Sequence, residues 1–135
     1  MKQKISFTIL ALFLTGTVLA MSKVLKKEPY NVPEITNQVY EEAVNSKKPL
    51  FLSFNATWCP SCQKQNASLG TLIPRFKDSA LIYTVNWDER DNFKGPKTKQ
   101  RTTIAYIVDG NIKDELIGET DANKIEKFII KNIGQ

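Results

Sequence analysis

Apolar residues along this chain follow two rhythms, one recurring with the 3.6-residue period of a helix and one packed into short runs. Between Glu34 and Ser46, the positions Ile35, Val39, Tyr40, Ala43 and Val44 recur at helical spacing. Thr36 is a candidate N-cap, and Lys47-Lys48-Pro49 ends the pattern. Leu50 to Asn55 is short, mostly apolar and bounded by Pro49, as a buried central strand should be. Leu69, Leu72, Ile73 and Phe76 then mark one face of a second helix, in which Gly70 and Pro74 predict a kink. Ala80 to Val85 reads as the next strand, and Asp88 to Arg101, broken by Gly95-Pro96, as loop with at most one helical turn.

Thr103 to Val108 and Ile112 to Ile117 flank Asp109-Gly110, a pair suited to a tight primed hairpin turn. Thr120 or Asp121 caps a last helix with Ile125, Phe128, Ile129 and Ile133 on one face and Gly134 at its end. The order α, β, α, β, loop, hairpin, α predicts an α/β fold. A parallel pair joined by a crossover helix, with the hairpin added, gives a central mixed β-sheet flanked by helices.

The first twenty residues stand apart from this pattern. Lys2 and Lys4 precede an uncharged, mostly apolar run from Ile5 to Leu19, and Val18-Leu19-Ala20 suits a signal peptidase. The run is short for a membrane span, which needs about twenty apolar residues. Residues 1–20 are therefore expected to be a signal peptide, with an uncleaved anchor as the alternative. Residues 21–33, punctuated by Pro29 and Pro33, read as a linker or irregular lead-in, and 34–135 as one domain. The expected location is periplasmic or otherwise exported, membrane-tethered if the segment stays attached. Formal charge is +5, or +3 without Lys2 and Lys4, which is ordinary solubility and not a nucleic-acid footprint.

The chemistry lies in Trp58-Cys59-Pro60-Ser61-Cys62, which holds the only two cysteines. It falls where the first strand gives way to the second helix. A helix N-terminus offers unpaired N–H groups and partial positive charge, which favour a thiolate on the first sulfur. That makes Cys59 the attacking nucleophile and Cys62 the resolving thiol. Zinc is a poor alternative, because structural sites use about four protein ligands and this chain has no histidine. A purely structural disulfide across so short a loop would remove little unfolded-state entropy. No Gly-rich phosphate loop, Ser-His-Asp set or paired catalytic carboxylates are present, so no cofactor, metal, nucleotide or nucleic-acid partner is expected.

The stretch Phe54-Asn55-Ala56-Thr57-Trp58-Cys59-Pro60-Ser61-Cys62, then Val85-Asn86-Trp87-Asp88, then Thr102 to Gly110, resembles the thioredoxin-like family, in particular its exported bacterial thiol–disulfide oxidoreductases. The resemblance implies a thioredoxin fold and exchange with protein thiols or disulfides through a mixed disulfide on Cys59, resolved by Cys62. It places Trp58, Pro60, Ser61, Thr102 and Thr103 at the substrate groove, and a membrane electron carrier as a candidate partner. Reduction is the expected direction. The alternative is a thioredoxin-fold binding or redox-sensing module with little turnover.

Three positions depart from the family pattern. Thr102 stands where a cis-proline is usual, and a cis bond before a non-proline residue costs about 3 kcal/mol, so a trans bond is expected there. The Thr102 N–H is then free for substrate. Ser53 and Thr84 replace the buried aspartate and its lysine, leaving Cys62 without a charged base. Ala67 occupies the usual site of a helix-kinking proline. Lys94, Lys97, Lys99 and Arg101 lead into Thr102; they either stabilise the Cys59 thiolate or form a solvated loop, and screening favours the loop.

Overall fold

The computed structural model describes residues 31–134. The expected signal peptide and anchor, and most of the lead-in including Pro29 and Tyr30, lie outside the described residues. Three helices and four strands follow in the order α1 (Asn37–Asn45), β1 (Leu50–Asn55), α2 (Pro60–Phe76), β2 (Leu81–Asn86), β3 (Thr103–Val108), β4 (Asn111–Ile117) and α3 (Ala122–Ile133). The sheet order is β2-β1-β3-β4, with β1 and β2 parallel and the other pairs antiparallel. The mixed sheet flanked by helices is the one the hydrophobic pattern predicts.

β1 lies at the centre and is buried along its whole length. Its side chains alternate between faces, so one strand serves both cores. Leu50, Leu52 and Phe54 pack with Tyr40 and Ala43 of α1 and with Phe93. Phe51 turns the other way, against Leu69 and Phe76 of α2 and Ile125, Phe128 and Ile129 of α3. Each such side chain contributes about 1.5–3 kcal/mol by leaving water. Two cores of this kind, one on each face, fix β1 and hence everything at its C-terminal end.

Several boundaries differ from the expectation for local reasons. α1 begins after Thr36, the expected N-cap, whose hydroxyl accepts from Val39 N–H at 3.2 Å, so Ile35 of the helical pattern lies outside the helix. Residues 33–35 run extended instead: Ile35 N–H donates to Thr84 O, and Thr84 N–H to Pro33 O. Val32 is buried in the core, so the fold reaches back into the expected lead-in. α2 runs unbroken through Gly70 and Pro74. Pro74 sits in the last turn, where its missing N–H removes only the rung to Gly70. After β2, the loop opens with a 3-10 helix, Trp87–Asn92, longer than the single turn expected. Asn86 caps it by accepting from Asp88 N–H.

The hairpin turn is as expected: Asp109 and Gly110 both have positive φ, 50° and 77°. Asp121, not Thr120, caps α3, accepting from Lys124 N–H at 3.1 Å. Among the described residues no helix is long and apolar enough to cross a membrane.

Candidate active site

β1 delivers the chain to Ala56, and a turn closed by Cys59 N–H on Ala56 O leads into α2. Cys59 is the N-cap of that helix and Pro60 its first residue, where a missing N–H costs nothing. The Cys59 sulfur takes the place of a capping oxygen, accepting from Cys62 N–H at 3.4 Å. Ser61 lies 3.3 Å away, Oγ to Sγ, and the Thr102 hydroxyl 3.6 Å away. Both cysteines are free thiols.

These contacts set the ionisation of Cys59. Burial opposes the thiolate, and hydrogen bonds from Cys62, Ser61 and Thr102 outweigh it, bringing the thiol from its usual 9.0 down to about 6. Cys59 shows only 3% of its surface, at the head of α2. No cation is among the causes. Lys97 instead donates to Phe93 O, and Lys94 pairs loosely with Glu41, so the basic stretch behaves as a solvated loop.

Thr102 is the centre of the site. The bond before it is trans, and its φ is 55°, an uncommon conformation for a β-branched residue. Three ties hold it. Its N–H donates to Phe54 O at 2.9 Å, while its carbonyl accepts from Gly118 N–H and from the Gln65 amide. Gly118, at φ 70°, turns the chain so that its N–H points there. The expectation of a Thr102 N–H free for substrate is therefore corrected: that group completes a sheet rung. Its hydroxyl lies 3.1 Å from the Cys62 sulfur and 2.9 Å from Ser61 Oγ.

The other expected groove residues are spread differently. Trp58 is 57% exposed, its indole N–H shared by the two carboxylate oxygens of Asp88 at 3.2 and 2.9 Å. The Arg101 guanidinium lies 4.6 Å from the Trp58 ring centroid. Pro60 is exposed beside it. Thr103 is fully buried, and its hydroxyl donates to Arg101 O, so its side chain offers no surface to a substrate. Trp87 packs against Ala56, Cys59 and Cys62 as a wall of the site. Tyr40 is structural, edge-on to Phe93.

Beneath the dithiol, a neutral network replaces charge. Asn55 donates to Ser53 Oγ at 2.9 Å and to Asn66 Oδ1 at 3.3 Å, and the Thr84 hydroxyl donates to Ser53 O. A cleft of about 240 Å³, lined by Glu34, Asn55, Asn66, Thr84 and Asn86, reaches Cys62. Among the described residues, no three His, Cys, Asp or Glu side chains converge as a metal site would need.

Sequence reasoning missed Gln65. It is fully buried on α2 and donates to Thr102 O at 3.1 Å and to Glu119 O at 2.9 Å. A signal was present: Gln65 precedes Leu69 by four residues and so lies on the same buried helix face.

The fold and the paired sulfurs at the head of α2 define a dithiol protein built for thiol–disulfide exchange. The family model for thioredoxin matches residues 31–131, and the chain belongs to the thioredoxin family. It is 28% identical over 103 residues to a thioredoxin of Chlorobaculum thiosulfatiphilum, covering 75% of this chain and 95% of that one. It is 30% identical over 106 residues to thioredoxin H4 of Arabidopsis thaliana, covering 73% and 87%. Among solved structures, Trxlp of Edwardsiella tarda matches with TM-score 0.61 at 23% identity, covering 73% of this chain and 97% of that one. Malassezia sympodialis thioredoxin matches with TM-score 0.60 at 19% identity, covering 78% and 94%. The fold is the thioredoxin fold. Members of this family are thiol–disulfide oxidoreductases acting on protein thiols and disulfides, and this chain, with its Cys59–Cys62 pair, is one.

Proposed function

We propose that the protein is an exported reductase of protein disulfides, kept reduced by a membrane electron carrier. In the reaction, the Cys59 thiolate attacks a substrate disulfide, and Cys62 displaces the substrate thiol from the mixed disulfide. Trp58, Pro60 and Ser61 form the face that meets the substrate, with Thr102 behind them.

The observation carrying the direction is how the Cys59 thiolate is held. Among the described residues, only neutral donors reach it, and no lysine or arginine pairs with it. A pKa of about 6 stabilises the reduced form moderately. Strong oxidants of this fold stabilise the thiolate much further, to a pKa of about 3.5. Export is supported by the basic start and short apolar run of residues 1–20.

The test is the reduction potential of the Cys59–Cys62 couple, by equilibration in dithiothreitol or glutathione buffers. A value near about −270 mV supports the reductase, and one near about −120 mV makes the protein an oxidant. Failure to obtain a reversible couple would favour the low-turnover binding module. Fractionation of cells expressing the full chain, read by the mass of the product, tests export and signal cleavage together.

A further inference from the structure

We infer that the Thr102 and Ser61 hydroxyls carry the proton of Cys62 to the departing substrate thiolate when Cys62 resolves the mixed disulfide. The inference rests on exchange through Cys59 and concerns only where the resolving thiol's proton goes.

Four polar atoms form a continuous line. The Cys62 sulfur is 3.1 Å from Thr102 Oγ1, Thr102 Oγ1 is 2.9 Å from Ser61 Oγ, and Ser61 Oγ is 3.3 Å from the Cys59 sulfur. In the mixed disulfide Cys59 is no longer a thiolate and no longer draws the Cys62 and Thr102 protons, which frees all three contacts to run one way. Cys62 S–H then donates to Thr102, Thr102 O–H to Ser61, and Ser61 O–H toward the sulfurs of Cys59 and the substrate. A hydroxyl both accepts and donates, so it can pass a proton without holding charge.

Cys62 has no exposed surface, and none of its hydrogen-bond partners is a charged group. Asp88 and Arg101 are engaged on Trp58, and Glu34, which lines the cleft beside Cys62, makes no hydrogen bond to its sulfur. Ser53 is hydrogen-bonded to Asn55 and is no base. Thr102 is placed for this role at some cost, since its left-handed backbone is held only by the ties to Phe54, Gly118 and Gln65.

The step balances without any other reactant. Cys62 Sγ bonds to Cys59 Sγ as the bond from Cys59 to the substrate sulfur breaks. The electron pair leaves with the substrate sulfur, which takes a proton from Ser61. Ser61 is restored by Thr102, and Thr102 by Cys62. The product is the Cys59–Cys62 disulfide and a free substrate thiol.

The test follows resolution of two mixed disulfides on Cys59, one with glutathione and one with 2-nitro-5-thiobenzoate, by rapid mixing and acid quench. Glutathione is a poor leaving group that needs the proton; the aromatic thiolate leaves without it. At neutral pH, Thr102→Val and Ser61→Ala should slow glutathione release by about tenfold or more, the low end for acid–base catalysis. Release of the aromatic thiolate should change far less, and Thr102→Ser should restore the rate. The deficit should shrink as pH rises and hydroxide takes over the relay's part. Unchanged rates in both variants would overturn the relay and assign the proton to the cleft beside Asn55. Equal slowing for both leaving groups at every pH would also overturn it, as a structural effect. Should Thr102→Val fail to fold, Ser61→Ala alone decides. A wild-type protein that forms the mixed disulfide but never resolves it would defeat the exchange reading itself.

Discussion

The side-chain amide of Gln65 donates to the Thr102 carbonyl at 3.1 Å and to the Glu119 carbonyl at 2.9 Å, from a position with no solvent exposure. A residue one turn below Cys62 thus holds the strand that faces both sulfurs. Replacing it by leucine of similar bulk strands one buried carbonyl, since Thr102 O keeps Gly118 N–H. Gln65→Leu should cost about 1–3 kcal/mol in urea denaturation. It should also slow alkylation of Cys59 near neutral pH, because Thr102 loses its fixed place.

The ionisation of Cys59 gives a pH signature with a definite sign. Its folded pKa, about 6, lies below the usual 9.0, because hydrogen bonds to the thiolate outweigh the burial that opposes it. A depressed folded pKa adds stability that is fully present above the unfolded value and lost as pH falls through the folded one. Reduced protein should therefore gain stability between about pH 6 and about pH 9, relative to a Cys59→Ser variant. Denaturation midpoints across that window check this, and half-maximal alkylation should fall near pH 6. A flat difference from Cys59→Ser would refute the assigned shift.

Trp58 is exposed yet fixed, with Asp88 on its indole N–H and Arg101 over its ring. A rigid aromatic of this kind is what a protein substrate would rest on. Trp58→Ala should lower kcat/KM for a protein disulfide about fivefold, roughly 1 kcal/mol of lost contact. Reduction of a small aromatic disulfide should change by less than about twofold, and stability little.

Thr102 cannot be exchanged for the residue usual in the family. Proline fixes φ near −65°, whereas Thr102 has φ 55°, and proline lacks the N–H that Thr102 donates to Phe54 O. Thr102→Pro should destabilise the protein by about 3 kcal/mol or more, measured by urea denaturation. Thr102→Gly, free of the Cβ penalty, should cost far less in stability. Were the proline variant as stable as wild type, the left-handed geometry would not be a requirement of this loop.

Legibility from sequence followed the range of the forces involved. The α1, β1, α2, β2, hairpin and α3 pattern was readable because each element carries its own period and its own stop signal. Asp109-Gly110 named its turn in the same way, since only residues tolerant of positive φ suit it. Thr36 marks the start of α1 in the sequence as in the structure, but the helical period also takes in Ile35, which is apolar in either state. Its N–H could join the helix or bond to Thr84 O, and only the presence of β2 alongside settled which.

By itself, then, the sequence determined the layers of the fold and the identity of the two reacting sulfurs. Both follow from near neighbours in the chain: apolar periodicity for the layers, and a strand, a cap and two cysteines for the site. Tertiary structure alone decided what surrounds those sulfurs. Thr102 is forty residues from Cys62, and Gln65 is thirty-seven from Thr102. No local rule makes a threonine left-handed or aims its hydroxyl at a thiol. That came from three long-range hydrogen bonds, to β1, to the residue after β4 and to α2.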